Sequence, residues 1–206
     1  MMKYGHYLFS VQLNDRGIGI VNRAVENANL PLEKSKLALQ TRKNRITSND
    51  HKVRSSKNSW IDCPNLFNFL NTMCLDINRL AEWNLKITGC EDVQYGVYEV
   101  GDYYDWHVDQ DDHLKPYPTW KDGKSINFPG CRKISVSLML SGPDEYEGGE
   151  LDLHFGKPSE FPRYDSFRPA KYEAVFFQSN VWHRVQPVKS GLRKSLVTWF
   201  YGPPYV

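Results

Sequence analysis

The sequence predicts an α+β, mainly β fold: two N-terminal helices followed by a two-sheet β-sandwich or roll packed against them. Three observations carry this. Apolar residues recur at helical spacing in two segments before residue 82. From residue 92 the pattern changes to short strand-like runs, separated by turns at Gly101, Gly142-Pro143, Gly148-Gly149, Gly156 with Pro158, and Gly191. Aromatic residues make up 14% of the chain and most lie after residue 95, where they favour pleated, half-buried surfaces.

The elements follow in order. Tyr7 to Leu13 reads as a short strand. Asn14 or Asp15 then caps a helix whose apolar residues are Ile18, Val21, Ala24, Val25 and Ala28, closed by Leu30 and Pro31. Residues 33–57 are short of large apolar groups and carry many cations, so they read as a long basic loop. Asp62 is the expected N-cap of a second helix, with Pro64 in its first turn, where a missing N–H costs nothing. Leu66, Phe69, Leu70, Met73, Ile77, Leu80 and Ala81 form its apolar stripe, about five turns long. The expected strands are Val93–Val100, Tyr104–Val108, Lys133–Leu140, Glu150–Phe155, Ala174–Gln178, Val181–Val185 and Leu192–Tyr201. The chain of 206 residues fits one domain, with 1–90 as helical support and 91–206 as the β core.

Composition narrows the function classes. A hydrophobic content of 40% with 24% charge is that of a folded protein rather than a disordered one. The net charge of +2 does not by itself indicate a nucleic-acid partner, although the basic stretch 42–57 leaves that open. Cys63, Cys74, Cys90 and Cys131 are scattered without a CxxC pair, which argues against a zinc knuckle and a disulfide framework. No apolar run has the length of a signal peptide or a membrane span, so a cytoplasmic, reduced protein is expected.

Two segments carry candidate chemistry. In Gly101-Asp102-Tyr103-Tyr104-Asp105-Trp106-His107-Val108-Asp109, a strand would project His107 and Asp109 to the same face. His-x-Asp alone is a weak signal, because a surface His beside a solvated Asp is common. The second segment, Val181 to Ser195, reads as a strand, a turn and a returning strand, with His183 on the first arm. Two His and one carboxylate on one side of a metal make the facial triad of non-haem iron(II) oxygenases, which leaves open positions for cosubstrate and O₂. The distal carboxylate of 2-oxoglutarate is matched by a guanidinium fork. Arg193, ten residues beyond His183, is the candidate; Lys194 points to the opposite face and is the poorer one. His113 and His154 are weak rivals as ligands, and His6 and His51 have no partners in sequence. Trp106 and Trp182 are expected to pack in the core and stiffen the two histidines.

Taken together, the segments resemble the prolyl-4-hydroxylase-like branch of the iron(II)/2-oxoglutarate-dependent dioxygenases. The resemblance rests on Gln94-Tyr95-Gly96-Val97-Tyr98 leading into the GDYYDWHVD run, then Arg132-Lys133-Ile134-Ser135. Tyr146-Glu147-Gly148-Gly149-Glu150-Leu151 and the final HRVQPVKSGLRKSLVTWF complete it, in the family's order over residues 91–201. A weaker likeness extends from Arg54-Ser55 to Trp60. It implies a distorted double-stranded β-helix (a jelly roll) buttressed by the N-terminal helices. It also implies iron(II) held by His107, Asp109 and His183, and 2-oxoglutarate held by Arg193, with Tyr98 and Ser195 as further contacts. O₂ is the other cosubstrate and ascorbate a candidate reductant. The implied reaction couples decarboxylation of 2-oxoglutarate to succinate and CO₂ with hydroxylation of a substrate C–H bond. The implied substrate is a peptidyl proline or related protein side chain. A free amino acid, a nucleobase, or a non-catalytic binding role on the same fold are the alternatives. One departure is Met139, where some prolyl hydroxylases place a cosubstrate-binding Tyr; another hydroxyl must then serve.

Overall fold

A computed structural model gives the fold and describes every residue except 1, 5–6, 29, 35–39, 42–43, 46–53, 111–113, 122–123, 157–162 and 206. The N-terminal part runs β1 (Met2–Tyr4), β2 (Leu8–Gln12), α1 (Asp15–Asn27), β3 (Glu33–Lys34), β4 (Gln40–Thr41), β5 (Asn44–Arg45), β6 (Arg54–Ser55), β7 (Lys57–Ile61) and α2 (Pro64–Leu80). The middle continues with β8 (Gly89–Cys90), β9 (Val93–Tyr98), β10 (Tyr103–His107), β11 (Lys115–Lys121), β12 (Lys124–Met139) and β13 (Tyr146–Gly148). The last part comprises β14 (Leu151–His154), β15 (Asp165–Phe167), β16 (Glu173–Gln178), β17 (Trp182–Val185), β18 (Val188–Gly191) and β19 (Arg193–Gly202).

The helices begin where local chemistry starts them. Asn14 caps α1, its side chain accepting from the Gly17 amide at 3.0 Å, a contact worth about 1 kcal/mol. The expected cap at Asp62 is one residue early. Cys63 holds the cap position of α2 without a side-chain bond, so Pro64, with its fixed φ and no N–H to satisfy, starts the helix. Leu66, Leu70, Cys74 and Ile77 form the buried stripe of α2, and Val21 and Ala24 that of α1.

Two sheets carry the rest. The larger has the order β1-β2-β16-β12-β19-β9-β7-β3, with β11 added to β12 and β8 to β19; the smaller has the order β15-β14-β17-β10-β6. All pairings between these strands are antiparallel. This is the jelly-roll arrangement expected from the sequence.

Strand alternation then sorts residues between two layers. Ile134, Val136 and Leu138 of β12, Leu196 and Phe200 of β19, Ala174 and Phe176 of β16, and Val93, Tyr95 and Val97 of β9 join the core shared with α1 and α2. The alternate residues face the smaller sheet. Among them Val175 and Phe177 meet Leu151 and Leu153, while Ser137, Ser195 and Tyr98 line a polar cleft between the sheets. The helices thus bury the outer face of the large sheet and leave its inner face for chemistry.

Two expectations need correction, and some fall outside the described residues. The stretch 33–57 is not wholly loop: Glu33–Lys34 and Lys57 pair on the large sheet, Arg54–Ser55 is an edge strand of the small one, and Lys57 bonds Glu99 at 2.6 Å. Backbone pairing across sheets outweighs the polar composition there. Arg42, Lys43 and Lys52 of the basic run, with His6, His51 and His113, lie outside the described residues. Finally, β17 and β19 do not form a hairpin. β17 lies in the small sheet, β19 in the large one, and the intervening β18 pairs with β13.

Candidate metal and cosubstrate site

His107 ends β10, and His183 lies directly opposite it on β17. Asp109 stands just past the strand, where its amide donates to the Ser179 carbonyl at 3.0 Å. The two-residue strand rule therefore does not bring His107 and Asp109 together; the turn onto Ser179 does. The ligand atoms of His107, Asp109 and His183 all lie within 4.8 Å of one another, the only such His/Cys/Asp/Glu group among the described residues. Asp109 carboxylate oxygens sit 3.7 Å from His107 Nε2 and 3.3 Å from His183 Nε2.

Outer contacts fix the rings. His107 Nδ1 is 2.7 Å from the Asp105 carbonyl and His183 Nδ1 is 3.0 Å from the Val181 carbonyl. A carbonyl only accepts, so each Nδ1 donates there and Nε2 is the nitrogen turned towards the ligand group, as a metal ligand needs. Ser135 Oγ donates to Asp109 at 2.8 Å and is 2.9 Å from Ser179 Oγ. Burial pushes the Asp109 carboxyl up, but His183, His107 and Arg132 outweigh it and hold the group well below the usual carboxylate range. Burial first, and His183 second, bring His107 down to about 3, so it is neutral. A carboxylate and two imidazole nitrogens in this arrangement suit a divalent cation.

Arg193 lies at the other end of the same cleft, paired in register with Tyr98. It is 1% exposed, donates from Nε to Gly149 at 2.9 Å and from Nη1 to Ser195 Oγ at 3.3 Å. No carboxylate pairs with it among the described residues. A buried guanidinium without a counter-ion is costly, and an anionic ligand would relieve that cost. The Tyr98 ring is 5.3 Å from its Cζ, and Tyr98 and Ser195 both line the cleft. The hydroxyls that the cleft offers in place of the Tyr absent at Met139 belong to Tyr98, Tyr104, Ser137 and Ser195.

The sequence did not reveal four other groups. Arg54 lines the cleft, bonds Ser56, Asn58 and Gln94, and sits 4.7 Å over the Tyr104 ring. Tyr104 stacks on His107 with centroids 3.5 Å apart. Trp199, 7% exposed, lines the cleft with an indole N–H that has no hydrogen-bond partner among the described residues. Arg132 lies 3.9 Å over the Trp199 ring and grips Glu91 bidentately, with Nη1 4.0 Å from Asp109. The alternation from Arg193 through Ser195 and Val197 would have found Trp199. Arg54 stood only at the start of the weaker likeness, with no role attached, because it sits in a run of cations.

The remaining expectations resolve simply. His154 lies within the small sheet, edge-on to Trp106 at 6.0 Å, and is not part of the ligand group. Trp106 and Trp182 are half-buried rather than core residues. Trp106 packs against Tyr164 and lies under the Arg184 guanidinium, which bonds the fully buried Asp152. The four cysteines are free. No described helix is long and apolar enough to cross a membrane.

The ligand group and the lone buried arginine, set between jelly-roll sheets, describe a metal-dependent oxygenase of the 2-oxoglutarate type. The profile of the 2OG-Fe(II) oxygenase superfamily matches residues 93–201, and the chain belongs to that family, whose enzymes are oxidoreductases using Fe(II), 2-oxoglutarate and O₂. A PKHD-type hydroxylase of Synechococcus sp. (strain CC9902) is 35% identical over 101 residues, 49% of this chain and 37% of that protein. One from Psychrobacter sp. (strain PRwf-1) is 33% identical over 105 residues, 51% of this chain and 36% of that one. The matches span little more than a third of these relatives. In fold, the chain is similar to a Pseudomonas putida prolyl-4-hydroxylase, with a TM-score of 0.61, 19% identity, and coverage of 95% of this chain and 92% of that one. It is also similar to a Trichoplax adhaerens prolyl hydroxylase solved with a hypoxia-inducible-factor peptide, with a TM-score of 0.64, 18% identity, and coverage of 95% and 84%.

Proposed function

We propose that the chain hydroxylates a peptidyl proline or a related protein side chain, using iron(II) held by His107, Asp109 and His183 and 2-oxoglutarate held by Arg193. The observation that carries this reading is the pairing of that ligand group with a buried arginine that lacks a counter-ion, in one cleft. When bound, the iron and its cosubstrate supply the oxidising power that hydroxylation needs.

The chain's own residues do the rest. Arg193, oriented by Gly149 and Ser195, receives the distal carboxylate and so directs the 2-oxo acid end towards the histidines. Tyr98 and Ser195 offer hydroxyls beside it. Ser135 and the two backbone carbonyls keep the ligand atoms aimed inwards. Val185, Leu151 and Phe177 line the cleft with apolar surface that limits water.

A peptide substrate is supported by the donors that line the cleft. Arg54, on an edge strand, and the indole N–H of Trp199, without a hydrogen-bond partner among the described residues, suit main-chain carbonyls. The relatives named as prolyl hydroxylases point the same way. The test is incubation with iron(II), 2-oxoglutarate and ascorbate, and mass spectrometry of proline-containing peptides. A product heavier by one oxygen, with matching succinate, is expected. Oxidation of free amino acids with no peptide product would refute the peptide reading.

A further inference from the structure

The inner face of the large sheet does not end at the metal cleft. Trp60 of β7 pairs with Gln94 of β9, which lines the cleft and bonds Arg54, so Trp60 shares its face. Tyr201 follows Trp199 by two residues on β19 and faces the same side. Between them opens a groove of about 410 Å³, walled by Trp60, Tyr117 and Tyr201 and rimmed by Glu91 and Asp92. Tyr117 and Tyr201 stack at 4.1 Å and form a rigid floor, while Trp60 is 53% exposed, a large ring left standing on the surface.

The charge on this groove is negative. Glu91 is shared with Arg132 and Tyr117, but Asp92 is exposed and has no ion-pair partner among the described residues. The thiol of Cys90, on the groove wall, is pushed above its ordinary range by burial, then by Asp92 and Glu91. An open indole beside unpaired carboxylate is the surface that attracts an ammonium or a guanidinium.

We propose that this groove is a specificity subsite for a basic side chain, Lys or Arg, of the substrate. The proposal rests on the peptide reading above. Trp199 lines the metal cleft and Tyr201 the groove, two residues apart along one strand, about 7 Å at strand rise. An extended peptide spans that distance in about two residues. Counted from Trp199, the cation therefore belongs at least two positions from the hydroxylated residue. The Glu91–Arg132 pair lies between the two sites, so the subsite is part of the same binding surface.

The test compares peptides carrying one Lys at each position within three of a proline with their norleucine counterparts. The readout is the ratio of kcat/KM for Lys over norleucine, taken separately for wild type, Trp60→Ala and Asp92→Asn. Wild type should show a ratio of roughly 5 to 10 at one position, through KM, and each variant should bring it near one. No preference at any position, or an unchanged ratio in both variants, overturns the subsite. A second arm does not depend on turnover. The indole N–H signal of Trp60, identified by its loss in Trp60→Phe, is followed in ¹⁵N-tryptophan-labelled protein during titration with N-acetyl-arginine methylamide or N-acetyl-norleucine methylamide. A shift with the arginine probe alone supports the groove even if every peptide fails as substrate, which would then refute the peptide reading by itself. No selective shift refutes the groove even if peptides are hydroxylated.

Discussion

Arg193 donates through Nε to the Gly149 carbonyl at 2.9 Å, and a Cβ built on Gly149 would stand 2.9 Å from Arg193 Cδ. The Gly-Gly turn between β13 and β14 therefore aims the arginine as well as reversing the chain. Gly148 and Gly149 have φ of +71° and +62°, a region that side chains rarely adopt.

Gly149→Ala should push the guanidinium out of line and cost about 1–3 kcal/mol of backbone strain. The expected result is 2-oxoglutarate affinity weakened by about tenfold or more, with metal binding retained. Calorimetric titration with Mn(II) bound in place of iron measures both. Unchanged cosubstrate affinity would show that Gly149 only turns the chain.

Arg193→Leu should cost about 2–5 kcal/mol of 2-oxoglutarate binding, because the distal carboxylate is left buried and unpaired. Lys194→Leu should have little effect, since its side chain lies on the other face of β19. Equal weakening in the two variants, or a larger loss from Lys194, refutes the assignment.

Metal binding should follow the ligand group. Purified protein is expected to take up one Fe(II), Mn(II) or Ni(II), and Asp109→Ala or His183→Ala should lose it. His154→Ala should keep the stoichiometry. Full metal affinity in the Asp109 variant would falsify the triad.

Ser135→Ala removes the hydroxyl that bonds Asp109 and contacts Ser179, in a position 0% exposed. Loss of such an outer contact should lower metal affinity by about 10- to 100-fold. The stability loss should be only about 1–3 kcal/mol, so the variant stays folded. Parallel metal titration and thermal melts separate the two effects. An unchanged metal affinity would make Ser135 a packing residue only.

By itself, the sequence determined the fold class, both helices and the strand-rich second half, and it singled out His107, Asp109, His183 and Arg193, which the structure gathers in one cleft. Those features are local: helical spacing, period-2 alternation and turn residues act within a few positions, and His-x-Asp with a later His names the candidate ligands without needing their geometry. The tertiary structure alone decided how they meet. Asp109 reaches His107 because its amide bonds Ser179, seventy residues away in sequence, and not because a strand continues to it. Arg193 reaches the cleft from the large sheet while His183 stands on the small one, a relationship that the apparent hairpin between them concealed. Arg54 looked like one solvated cation among many until sheet pairing set it over Tyr104. Likewise, Arg132 and Trp60 stood within the resemblance with no role attached, and Glu91 carried no signal. Pairing between distant strands gives them their neighbours, and local composition does not encode it.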